Sequence, residues 1–81
     1  MPTYSSLEAF LAHYRTLHHA ASLRADERHL LAAMERAIGE LPPADRSALA
    51  DTGAEPPILR RRQRAQRALR HLLVQQRLLQ G

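Results

Sequence analysis

From Ile58 to Gln80 the sequence runs without a glycine, a proline or an acidic residue, and this stretch limits the fold more than any other. Nothing in it interrupts a helix, so one long helix is predicted over residues 57–80. At about 1.5 Å of rise per residue it would be roughly 35 Å long, the span of a small domain. On a helical wheel Ile58, Ala65, Leu69, Leu72 and Leu79 fall on one side and Arg60, Arg64, Arg67 and Arg70 on the other. One face is suited to packing and the other is cationic. Six of the eleven residues from Arg60 to Arg70 are arginine, charged at any physiological pH, so the outer face should attract polyanionic or acidic company.

The rest of the chain must supply what that helix packs on. With 81 residues it is expected to form a single domain over residues 1–81. A domain this small buries only about 60% of the surface its unfolded chain exposes. Tyr4, Phe10 and Tyr14 are the only aromatic residues, so Leu, Ala, Ile and Met must fill the core. A compact helical bundle and a self-associated homodimer both satisfy that requirement. There is no cysteine to add a disulfide or a thiolate metal site, which fits a reducing compartment. No apolar run approaches the roughly 18 residues of a membrane span, and the opening residues lack the basic and apolar regions of a signal peptide. The expectation is a cytoplasmic protein with no membrane partner.

Charge is divided along the chain. All twelve basic residues are arginine. Residues 1–55 hold all eight acidic residues against five arginines, a net of −3, and the remainder holds seven arginines and no acid, a net of +7. The arginine run can therefore be answered from outside, or from inside by Glu27, Glu35, Glu40 or Asp45.

Three further helices are predicted, over residues 5–20, 23–41 and 43–51. Ser5 followed by Glu8 reads as a capping box, after which Leu7, Phe10, Tyr14, Leu17 and Ala21 make an apolar stripe at 3-4-3-4 spacing. The stripe fails between Ala20 and Asp26, where its continuation would bury Arg24 and Arg28, so a break is expected with Ser22 as the next cap. A single bent helix is the alternative. Leu30, Leu31, Met34, Ile38 and Leu41 define the next buried face, and Pro42 ends it. Pro43 opens a short helix that carries Leu49 inward and closes at Thr52 and Gly53. Nothing alternates with period two, so the fold class is all-α: a small bundle of three to four helices with a long basic C-terminal helix.

From Met34 onward, ERAIGELPPADRSAL followed by PILRRRQRAQRALRHLL resembles region 4, the promoter-recognition region of bacterial extracytoplasmic-function sigma factors. In that family a helix ends in a Leu-Pro-Pro-like turn, a short helix follows, and a helix-turn-helix comes next whose recognition helix runs on as an Arg-Ala-x-Arg-Ala-Leu-Arg tail. Arg64, Ala65, Arg67, Ala68, Leu69 and Arg70 match the tail in register. Ile58 falls where the recognition helix opens, so the resemblance implies that Arg60 and Arg61 face DNA. It covers about half the chain, from Met34 to Leu73. The sequence departs from the family between the two helices: only Ala50 to Pro57 remain where the family carries the first helix of its helix-turn-helix.

The candidate nucleic-acid-binding residues are thus Arg60, Arg61, Arg64, Arg67 and Arg70. Arg60, Arg64 and Arg67 recur at i, i+4 and i+7 and can follow one phosphate backbone. The candidate partner-binding residues are Leu72, Val74, Leu78 and Leu79, because a continuous helix puts Val74 and Leu78 on the arginine side, away from the core. Of the five histidines, no two stand at i, i+3 or i, i+4 on one helix face, so no metal site is expected. There is no Gly-rich phosphate loop, nucleophile elbow or paired carboxylate with evident roles. A non-enzyme without cofactor is expected. The leading expectation is a small transcription-related regulator touching DNA or the RNA polymerase machinery. The alternative is an adaptor or chaperone-like module that docks on an acidic protein partner or pairs with itself.

Overall fold

The computed structural model of the chain describes residues 3–81. Met1 and Pro2, at the start of the stretch compared with a signal peptide, lie outside the described residues. The fold is all-α, with four helices among the described residues in the order α1 (Leu7–His18), α2 (Ala25–Gly39), α3 (Pro43–Ala50) and α4 (Pro56–Gln75). No strand occurs among the described residues, only an isolated parallel bridge between Tyr4 and Leu79.

α1 begins one residue later than a Ser5 cap would place it. Ser6 is the N-cap, and its hydroxyl accepts from the Ala9 amide at 3.1 Å. This puts Leu7 at the first helical position, where it is buried, and keeps Glu8 in the first turn beside the positive end of the helix. Leu7, Phe10 and Leu17 then face the core with Tyr14 half-buried, as the 3-4-3 spacing requires. Ala21, the last member of the predicted stripe, lies beyond the helix and is exposed.

The break between α1 and α2 is real, and a single bent helix does not form. Its cap is not Ser22. The N-cap of α2 is Arg24, whose backbone amide donates to Glu27 Oε1 at 3.0 Å, so a carboxylate one turn on satisfies the free amide. Met34 and Ala37 are fully buried along α2. The helix stops at Gly39, two residues short of Leu41, because Pro42 excludes helical geometry at the residue before it. Leu41 is still buried, as part of the turn.

Pro42 caps α3 with its carbonyl, which accepts from Asp45 N at 3.0 Å and Arg46 N at 3.1 Å, and Pro43 occupies the first helical position. α3 buries none of its residues completely; Leu49, half-buried, is the side chain that ties it to the core. α4 follows after a five-residue connection, residues 51–55, with Pro56 in its first turn. At Gly53 that connection passes so close to α4 that a Cβ would stand 2.7 Å from Ile58 Cδ1, which favours glycine there.

α4 buries Ala65, Leu69 and Leu73 completely, and Leu69 and Leu73 share one core cluster with Phe10, Met34 and Ala37. It does not reach Gln80. The helix ends at Gln75, and Arg77 turns the chain in the left-handed region at φ 60°. Leu78 N–H returns to the Leu73 carbonyl at 2.9 Å and Arg77 N–H to the Val74 carbonyl at 3.1 Å, the paired bonds of a Schellman turn. The reason is burial. Continued as helix, Leu78 would point to the arginine side; after the turn Leu78 and Leu79 are each 4% exposed. The tail is then tied to the start of the chain. Tyr4 N–H donates to the Leu78 carbonyl at 2.9 Å, Gln80 N–H donates to the Tyr4 carbonyl at 3.0 Å, and the Thr3 hydroxyl donates to the Arg77 carbonyl at 3.2 Å. The Tyr4 ring packs edge-on against Phe10 with centroids 5.4 Å apart.

The folded-back tail makes a measurable difference. Leu78→Ala is expected to lower stability by about 2–5 kcal/mol, as deletion of buried leucine atoms does, whereas the solvated position that a continuous helix would give it would change stability by no more than about 0.5 kcal/mol. Arg77→Gly is expected to raise stability by up to about 1 kcal/mol by relieving the left-handed strain. Urea unfolding followed by helical circular dichroism measures both.

Candidate functional site

The outer face of α4 is set by the inner one. With Ala65, Leu69 and Leu73 fixed against the core, the 3.6-residue period carries Arg60, Arg64 and Arg67 to the opposite side, with Arg61 and Arg70 on its two flanks. All five arginines are exposed. Arg60 to Arg67 covers about 10 Å of helix axis. Arg67 and Arg70 also line a shallow groove of about 320 Å³ between α4 and the first turn of α1, beside Gln63, Gln66, Leu7 and Glu8.

None of these arginines is neutralised by the acidic half of the chain. The ion pairs among the described residues join Arg24 to Asp26 at 3.5 Å, Arg24 to Glu27 at 3.4 Å, and His18 to Glu35 at 3.8 Å. Glu40 accepts from Gln76 Nε2 instead. Within α4 there is no carboxylate, and its first turn, where the helix dipole is positive, is followed at once by Arg60, Arg61 and Arg62. Helix end and guanidinium groups therefore add, offset in part by the Glu55 carboxylate at the N-cap.

Arg62 behaves differently. It sits on the same side of the wheel as Ala65 and Leu69, is half-buried, and donates from Nη1 to the carbonyls of Asp51 at 2.7 Å and Gly53 at 2.9 Å. Asp51 Oδ1 in turn accepts from Gly53 N–H at 2.9 Å, closing the loop on itself. One guanidinium thus locks the connection after α3 onto α4 and satisfies two of that connection's carbonyls. Arg62 is not one of the five arginines expected to bind nucleic acid. Its signal was present in the 62, 65, 69, 73 spacing, which places it with the core residues.

The leucine candidates divide. Leu78 and Leu79 are core residues, sealed under the tail, and offer no docking surface in this fold. Leu72 and Val74 are half-buried and pack against the core cluster, with a Cβ placed at Gly81 coming within 3.1 Å of Val74 Cγ1. The chain's own C-terminus covers the apolar patch that a continuous helix would have exposed.

Among the described residues no group of three or more His, Cys, Asp or Glu side chains gathers as a metal site would require. Near the histidines, the Tyr4 hydroxyl meets His13 Nδ1 at 2.6 Å, and the Tyr14 ring stacks on His18 at 5.5 Å. Burial raises the pKa of the Tyr4 phenol above its ordinary 10.0. Tyr14 is raised likewise, by burial first and by the Glu35 carboxylate second. Both therefore remain neutral hydrogen-bond donors near neutral pH. No helix of the described residues is long and apolar enough to cross a membrane.

The class these observations define is a small all-α bundle bearing a cationic helix. No family profile, curated protein or solved structure matches the chain.

The two kinds of arginine should respond oppositely to removal. Arg62→Ala is expected to cost about 1–2 kcal/mol through the two lost charge-assisted hydrogen bonds. Arg64→Ala is expected to leave stability within about 0.5 kcal/mol of the parent, or to raise it at low salt by relieving like-charge neighbours one turn away. Thermal unfolding at two ionic strengths checks both, the second effect shrinking as salt is added.

Proposed function

We propose that this chain is a small transcription-related regulator whose α4 binds the phosphate backbone of DNA through Arg60, Arg61, Arg64, Arg67 and Arg70. The observation that carries the reading is that these five guanidinium groups are exposed on one helix and unpaired with any carboxylate among the described residues, while Asp26, Glu27 and Glu35 pair with Arg24 and His18. A solvated face built only for solubility interleaves both signs of charge; this one has a single sign over the whole helix. Phosphate contact neutralises such a row and releases the counterions held by the duplex.

The resemblance to region 4 of extracytoplasmic-function sigma factors gives the reading its transcriptional context, since Arg64, Arg67 and Arg70 coincide with that family's basic tail. The short connection between α3 and α4 is where the chain departs from that family. α3, held by Leu49 and by the Arg62 bonds to its loop, braces the first turns of α4. In our reading this brace stands in for the helix that the family inserts there. Docking of the same face on an acidic surface of the polymerase machinery, or on another acidic protein, uses the same charges and is the outcome to which a failure of DNA binding would point.

Fluorescence anisotropy of a labelled duplex, titrated with the protein from about 50 to 200 mM salt, tests the proposal. Affinity is expected to fall steeply with salt. Arg64→Ala with Arg67→Ala should weaken binding and reduce the log–log salt slope by about 2, one unit per phosphate contact removed. Absence of binding at the lowest salt, or an unchanged slope in the double variant, would overturn the DNA reading.

A further inference from the structure

A second feature of the molecule lies on the other side of Arg62, away from the outer face of α4. Where all four helices meet, a cleft of about 490 Å³ opens, within the 300–1,000 Å³ range typical of small-ligand sites. Its apolar side is formed by Leu11 of α1, Ile38 of α2 and Leu49 of α3, each half-buried and packed against the core cluster. Two cations line it from different helices, Arg15 of α1 and Arg62 of α4.

The polar groups there are available. Arg15 is exposed and takes part in no ion pair among the described residues. Arg62 commits Nη1 to the Asp51 and Gly53 carbonyls, and its Nε and Nη2 groups have no protein acceptor among the described residues. The single carboxylate on the lining, Asp51, has Oδ1 engaged by Gly53 N–H. Tyr14, also on the lining, keeps its phenolic proton and can donate it. Three donors from two helices thus surround an apolar surface large enough for one aromatic ring or a short acyl chain.

We propose that this cleft binds a small amphipathic carboxylate, an aryl or short-chain acyl acid, with its hydrocarbon part on Leu11, Ile38 and Leu49 and its anionic end between Arg15 and Arg62. Apolar burial supplies most of the affinity, and the guanidinium pair selects the acid over a neutral molecule of the same shape. Because Arg62 also fixes the loop after α3, an occupant would hold α3 and α4 together. A ligand that binds only the folded chain stabilises it by mass action. The proposal does not depend on what the outer face of α4 binds.

The fluorescent aryl sulfonate 8-anilinonaphthalene-1-sulfonate serves as the probe and octanoate as the competitor, both with the full chain at neutral pH. The expected result is saturable one-to-one fluorescence enhancement, displacement by octanoate but not by octanol at the same concentration, and a higher unfolding temperature with octanoate present. Arg15→Gln, at an exposed position that the core does not use, should weaken octanoate binding about tenfold while helical circular dichroism is unchanged. Arg60→Gln with Arg64→Gln should leave it unchanged. Non-saturable enhancement, equal displacement by octanol, full binding in Arg15→Gln, or loss of binding in the Arg60/Arg64 variant would each overturn the proposal.

Discussion

The structure depends on the packing of one stripe, Ala65, Leu69 and Leu73, against Phe10 of α1 and Met34 of α2. These five side chains, and Ala37 of α2 with them, are fully buried, and all but Ala65 belong to one core cluster. Because α4 supplies three of the five, its rotation about its own axis is fixed, and that rotation settles the placement of its charges. Arg62 falls inward and becomes a brace for the loop after α3. Arg60, Arg64 and Arg67 fall outward, with Arg61 and Arg70 at the margins. A shift of the helix by one residue would turn it by about 100° and put guanidinium groups into the core. The same contact therefore organises the fold and presents the cationic face.

Much of this was legible from residue spacing because it rests on local rules. The 3-4-3 stripe of Leu7, Phe10, Tyr14 and Leu17, the stop imposed by Pro42, the start imposed by Pro43 and the loss of pattern between α1 and α2 each depend on residues within one or two turns. The misplaced helix starts turn on which of several local options wins. Ser5 and Ser6 are both good caps, and the choice between them depends on Leu7 reaching the core. Ser22 is a better capping residue than Arg24, yet Glu27 can satisfy the Arg24 amide from one turn downstream, and that places the start of α2.

The C-terminus is the clearest case of tertiary packing overriding local propensity. No residue between Gln75 and Gln80 breaks a helix by its own preference, and arginine is a costly residue for a left-handed turn. What stops the helix is the gain from burying both Leu78 and Leu79, reinforced by hydrogen bonds to Tyr4 from the opposite end of the chain. No window of sequence short enough for a periodicity argument contains both partners. The candidate partner surface inferred from a continuous helix was a consequence of that missing turn. The cleft at the four-helix junction was hidden for a similar reason, since Arg15 and Arg62 are far apart in the sequence and come to one cleft only through the packing of the whole bundle.

The outer arginines are the part of the sequence that folding does not account for. A small domain has a thin stability margin, and grouping like charges at i, i+3 and i, i+4 near the positive end of a helix works against it. Glutamine or glutamate at Arg60 or Arg64 would keep the helix, the stripe and the solubility with less self-repulsion. Arg62 shows what an arginine needed by the fold looks like: half-buried, with named acceptors at 2.7 and 2.9 Å. The five outer arginines have no such acceptors among the described residues. The DNA backbone proposed as their partner is a surface negative enough to remove the repulsion that the free protein bears and regular enough to meet guanidinium groups repeating along a single helix.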